Sequence, residues 1–98
     1  MSMNIGQAME AMKTGSVVAR QIWTTQGRNW KLYYTAGVSA VPAANFTNAA
    51  LAAFVATLPG GVANVEPAVY LRDGANNIHL GWAAEQVDMF AEDWYIVT

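Results

Sequence analysis

Apolar side chains recur at Ile5, Ala8, Met9 and Met12, the i, i+3, i+4, i+7 spacing of one helix face. Asn4 followed by Gln7 forms a capping box ahead of them. The spacing predicts a helix of about two to three turns, stopped by Gly15, where left-handed backbone costs little. Ser16 to Ala19 is short and β-branched and starts a strand. Thr24 to Arg28, polar with Gly27 inside, reads as a loop, and Trp30 to Tyr34 resumes a strand with bulky alternation. From Ala36 to Gly61 no charged residue occurs. Leu51, Phe54, Val55 and Leu58 are helically spaced there, Thr47 or Asn48 supplies a cap, and Pro59-Gly60-Gly61 ends the element. Alanine fills most other positions of this middle helix, so it has no strongly polar face and both sides are expected to be covered. A subunit interface or burial within the monomer would each cover the second side.

Glu66-Pro67 introduces a hairpin, Ala68 to Arg72 and Ile78 to Trp82 flanking Asp73-Gly74-Ala75-Asn76-Asn77, because Asp-Gly tolerates positive φ. Along its second arm Ile78, Leu80 and Trp82 share one face and His79 and Gly81 the other. A short helix over Gln86 to Ala91 and a last strand, Trp94 to Val97, complete the chain. The class predicted is α+β: a small, mainly antiparallel sheet with an N-terminal helix, an Ala-rich middle helix and a short C-terminal helix. Residues 1–98 are read as a single domain, since about 100 residues support one core. Met1-Ser2 ahead of Met3 reads as a remnant of cloning.

Composition narrows the function. Apolar residues make up 54% of the chain and charged residues 12%, against roughly 25% charged in an average soluble domain. One small core cannot hide that much apolar surface, so self-association is expected. A formal net charge of -2 with five Lys and Arg spread along the chain gives no basic stripe for duplex nucleic acid. Without cysteine there is neither disulfide nor thiolate metal site. The longest apolar run, Ala49 to Ala56, is far shorter than the ~18 residues of a membrane span. No leader is evident, so a cytoplasmic setting is the expectation.

Little in the chain suggests a catalyst. Nucleophilic catalysis needs a hydroxyl or thiol beside a positioned base, and the one histidine, His79, lies on a predicted strand with no second histidine or cysteine to share a metal. Its bland reading is a surface or structural role. Asp88 and Glu92 fall on one helical face at i, i+4, and with Asp93 they fit a solvated face, ligand hydrogen bonding or paired acid–base carboxylates. No phosphate-binding glycine loop is present. Four Trp, four Tyr and three Phe are many for so short a chain, and an indole face stacks on nucleobases. Trp23, close after Arg20 and before a polar loop, suits stacking or core equally. Trp94, beside Tyr95 and Ile96, reads as core.

Two blocks carry a resemblance. One runs from Asn4 through Gly15 to Arg20 and Trp23; the other runs from Trp82 through Trp94 to Val97 and keeps Trp82, Gln86, Asp88, Ala91, Asp93 and Trp94 in order and spacing. In these the chain resembles the Thoeris anti-defence family of the second type, small phage and prophage proteins formerly known as a domain of unknown function. The resemblance implies a non-enzymatic sponge that binds and holds an immune signalling nucleotide. Cyclic ADP-ribose isomers made by TIR-domain proteins are the implied ligands, and cyclic dinucleotides for some relatives. It also implies a homotetramer with ligand sites between subunits, and no cofactor. Carried over, Trp23 would be a stacking wall and Arg20 a phosphate or orienting contact. Trp82, Gln86 and Asp88 would complete the ligand-binding set, Asp88 accepting from ribose hydroxyls or an adenine amino group; Asp93 and Trp94 would serve the fold. The chain departs from the family at Ile22, where glycine usually precedes the tryptophan, and at Ala84 and Glu85, where Pro and a Ser cap are common. The alternatives from other classes are a metal-dependent phosphodiesterase-like enzyme using Asp88 and Asp93, and a structural phage protein without a ligand.

Overall fold

Asn4 begins the first helix as its side chain predicts. In the computed structural model, which describes residues 2–97, Gln7 N–H donates to Asn4 Oδ1 and Asn4 N–H donates to Gln7 Oε1, both at 2.9 Å. Two helix-terminal amides are thereby satisfied reciprocally. The helix, α1 (Ile5–Lys13), buries Ala8 and Met12 one turn apart. It ends where Gly15 turns to a φ of 103° and donates to Met12 O. Along the chain then follow β1 (Val18–Arg20), α2 (Gln21–Thr25), β2 (Lys31–Thr35), β3 (Val38–Pro42), α3 (Ala49–Ala56), β4 (Val62–Val65), β5 (Ala68–Arg72), β6 (Ile78–His79), α4 (Gln86–Met89) and β7 (Trp94–Ile96). The elements form two compact units.

The larger unit comprises the chain up to Thr35 and from Ala68 onward. Its five strands lie in the order β6-β5-β2-β1-β7, every neighbouring pair antiparallel. The longest pairing joins β2 to β5, from Lys31 opposite Arg72 to Thr35 opposite Ala68. Because side chains alternate across a strand, Leu32 and Leu71, directly opposite each other, face the same side. There they join Ala8, Met12, Val18, Ala19, Trp23 and Trp94 in one core. Burying a side chain of Leu or Met size contributes about 1.5–3 kcal/mol each. At the β7 edge Met3 and Trp94 exchange backbone hydrogen bonds of 2.8 and 3.1 Å, so the segment before α1 covers amides that an edge strand would leave open.

The smaller unit, Ala36–Pro67, is a two-stranded antiparallel sheet of β3 and β4 with α3. Asn48 caps α3, its Oδ1 accepting from Leu51 N–H at 3.0 Å. The register of β3 slips between Val38 and Val41; Ala40 at the slip has a φ of 55°, and its N–H donates to Asn64 Oδ1 at 3.1 Å instead of to a strand carbonyl. Gly37 sits against this sheet so closely that a Cβ would lie 2.5 Å from Val65 O. Only hydrogen fits there.

The α+β class and the mainly antiparallel sheet stand as expected. Several local expectations do not. The segment read as a loop over Thr24 to Arg28 begins as the helix α2, and β3 and β4 were not anticipated. The second hairpin arm forms a regular ladder only over Ile78–His79; Gly81 adopts a φ of 74° and breaks the alternation, and beyond it Trp82 N–H rejoins β5 with one bond to Val69 O at 2.8 Å. In the turn itself the positive φ falls on Asn76, not on Gly74. Helix α3 buries Val55 but leaves Leu51 and Phe54 exposed, so the chain alone covers one side of it.

Candidate functional site

Arg20 closes β1 and sets the N-terminus of α2, yet its own side chain does not cap that helix. The cap comes from far along the chain: Gln21 N–H donates to Asp93 O at 2.9 Å and Ile22 N–H to Asp93 Oδ2 at 3.0 Å. A carboxylate at this end satisfies orphan amides and complements the helix dipole. The other oxygen, Asp93 Oδ1, accepts from Arg20 Nε at 2.8 Å, while Arg20 Nη1 donates to Asp88 Oδ1 at 2.9 Å. Asp88 Oδ2 in turn accepts from Glu85 N–H at 3.1 Å and fixes the start of α4. The guanidinium thus ties two carboxylates into one part-buried triad. Burial works against its charge, but the hydrogen bonds and attraction of Asp93 and Asp88 prevail and raise the Arg20 pKa. Burial likewise opposes ionisation of Asp93, and the contacts from Arg20 and Ile22 N–H overcome it, holding this carboxyl below its usual range.

The other end of α2 is closed by glycine. Gly27, at a φ of 76°, donates to Thr24 O at 3.0 Å, and Arg28 N–H donates to Trp23 O at 2.7 Å. This pair of bonds is a Schellman motif, which needs a left-handed residue at the position Gly27 occupies. It fixes Arg28 directly to the carbonyl of Trp23.

Trp23 stands at the centre of four indoles. Its ring lies edge-on to Trp94 at 5.4 Å, Trp30 at 5.6 Å and Trp82 at 6.3 Å between centroids, and Trp82 meets Trp94 at 6.2 Å. Edge-to-face pairs of this kind add about 0.5–1.5 kcal/mol beyond area burial. Trp94 is fully buried and Trp23 is 4% exposed, while Trp30 and Trp82 are half-buried. Trp94 Nε1 donates to Asp88 O at 3.1 Å, joining the indole cluster to the triad. Arg28 lies over Trp30, its guanidinium carbon 4.6 Å from the ring centroid.

Triad and indoles border one cleft of about 560 Å³, lined by Arg20, Ile22, Trp23, Gln26, Arg28, Trp30, Leu71, Trp82, Ala83, Glu85, Val87 and Asp88. Its size lies within the range of small-molecule sites. Four of the residues singled out from the sequence, Arg20, Trp23, Trp82 and Asp88, therefore meet at one place. Gln86 is exposed on α4 and does not line the cleft. Gln26, Arg28, Trp30 and Glu85 also line the cleft without belonging to the predicted set; the signal for two of them is the cation–indole pair Arg28 and Trp30, five and seven residues after Trp23. A second, largely apolar cavity of about 380 Å³ lies on the other flank of Trp82, between Ile5, Met9, Val69, Ala84, Met89 and Phe90.

His79 is elsewhere. Its Nε2 meets Asp73 Oδ2 at 2.8 Å within the β5–β6 hairpin, and that bond, with amide donors from Asn77 and Ala75, lowers the Asp73 pKa. Among the described residues no three His, Asp or Glu side chains gather as a metal site.

The model of the Thoeris anti-defense 2-like domain family (Tad2-like) matches residues 3–97, so the chain belongs to that family and has an anti-defense role directed at Thoeris. The match extends beyond the two blocks that carried the resemblance and includes the Ala-rich middle. No curated protein matches the chain.

Proposed function

We propose that this protein binds a small cyclic nucleotide, a cyclic ADP-ribose isomer, in the tryptophan-walled cleft and withholds it without cleaving it. The setting is the cytoplasm of a phage-infected bacterium. The observation that carries this reading is the meeting of Trp82, Trp30 and Trp23 with charged side chains around one cleft of ligand size. Half-buried Trp82 and Trp30 offer faces to a purine, at about 1–3 kcal/mol per stacked base, while buried Trp23 backs them. Asp88 and Glu85 supply acceptors suited to ribose hydroxyls or an exocyclic amine. Family membership supports the ligand class, and exposed Phe90, Leu80, Val87 and Met89 support assembly into a homotetramer. Among the described residues no helix is long and apolar enough to cross a membrane.

The competing reading as a metal-dependent phosphodiesterase rests on Asp88 and Asp93. It is disfavoured because the Arg20 guanidinium already sits between these carboxylates, where a metal ion would have to displace a fixed cation. The test is to load the protein with glycocyclic ADP-ribose, remove free ligand, denature, and weigh what is released. Intact ligand is expected; a hydrolysed product would establish an enzyme. Trp82→Ala should weaken binding by about tenfold or more while the protein still melts cooperatively. An unshifted melting temperature of the wild type across a nucleotide panel would favour the structural phage protein.

A further inference from the structure

Four charged side chains border the cleft: Arg20, Arg28, Glu85 and Asp88. Arg20, the cation nearest the resemblance, is already committed. Its Nε and Nη1 are held by Asp93 and Asp88 at 2.8 and 2.9 Å, and the triad carries two negative charges against one positive. A phosphate approaching that corner would meet a net negative field.

Arg28 is placed differently. It is exposed and has no ion pair among the described residues. Its guanidinium carbon lies 4.6 Å from the Trp30 ring centroid, and with no carboxylate engaging it among the described residues its N–H donors are available for a forked contact to phosphate oxygens. The residue is also set before any ligand arrives, because the Gly27 turn binds Arg28 N–H to Trp23 O. Little backbone freedom remains to be lost on binding.

We infer that Arg28 is the group that holds the anionic phosphate or pyrophosphate of the ligand, and that Arg20 is a positioning residue that fixes Asp88 and the start of α2. The inference rests on the sequestering function proposed above. It assigns the cleft a division of labour: indole faces for the base, Asp88 and Glu85 for hydroxyls, Arg28 for charge. Trp30, already a wall of the cleft, also steadies that cation.

The experiment is calorimetric titration of the full chain with glycocyclic ADP-ribose at low and high salt, for wild type, Arg28→Ala, Arg28→Lys and Trp82→Ala. Because salt weakens exposed ionic contacts, wild-type affinity should fall as salt rises. Arg28→Ala should bind about tenfold or more weakly at low salt and lose most of that salt dependence, and Arg28→Lys should fall between, keeping the charge without the fork. Loss of affinity with an unchanged salt dependence, or no loss at all, overturns the assignment; if Trp82→Ala is nonetheless impaired, the cleft reading survives it. Failure of the wild type to bind at all would remove the sequestering function, and this inference with it.

Discussion

Asp93 holds two things at once, a helix terminus through Ile22 N–H and a cation through Arg20 Nε. Its depressed pKa makes that holding depend on pH. A carboxyl whose folded pKa lies below its unfolded value, about 3.9, contributes stability that is present above the unfolded value and lost as pH falls through the folded one. Asp73, lowered first by its bond to His79 and then by Asn77 and Ala75 amides, adds in the same direction. The melting temperature should therefore fall steeply on acidification below about pH 4. Asp93→Asn should melt lower at neutral pH and show a shallower acid decline; equal acid slopes for both proteins would show that this carboxyl is not coupled to folding. Single residues were the most legible part of the site: Trp23 beside Arg20 suggested stacking from residue type and position, while Trp82 and Asp88 entered the binding set only through the family resemblance. What their order could not reveal was Arg20's commitment, because its partners lie 68 and 73 positions away.

At the scale of elements, legibility followed length and local capping. Helix α1 carries its own box and α3 its own Asn48 cap, and both were readable. Helix α2 has neither the length for a periodic pattern nor a local N-cap; its ends are made by Asp93 and by Gly27. Strands β3 and β4 were hidden for another reason, since the register slip after Val38 destroys the strict alternation by which a strand is recognised. Gly27 offers a test of how far the turn matters. No atom lies within 4 Å of a Cβ there, but the φ of 76° is left-handed, so Gly27→Ala should cost about 1 kcal/mol through backbone strain alone. Denaturant titration should record that loss, and calorimetry should record weaker nucleotide binding as Arg28 loosens. Binding at wild-type strength would mean the turn does not set the cleft.

For the whole molecule, composition already implied more apolar surface than one core could hide. The structure locates it: Phe90 is 80% exposed, with Met89 beside it, next to the apolar cavity between α1 and α4. The smaller unit leaves and rejoins the sheet at Thr35 and Ala68, which are register partners, so an insertion between adjacent strand ends interrupts no pairing of the main sheet. If the α4 surface is the seam between subunits, Phe90→Ser should shift the sedimenting species to lower mass while retaining the far-ultraviolet circular dichroism of the parent. An unchanged mass would place the seam elsewhere, and exposed Leu51 and Phe54 on α3 would then be the next surface to alter.

The grouping of every tryptophan around Trp23 has an optical consequence. Indoles this close exchange excitation energy, so the protein's ultraviolet emission arises from one coupled chromophore rather than from four independent reporters. A planar guest resting on Trp82 or Trp30 would perturb them all together, and the unlabelled protein would announce its own occupancy by the dimming of its glow.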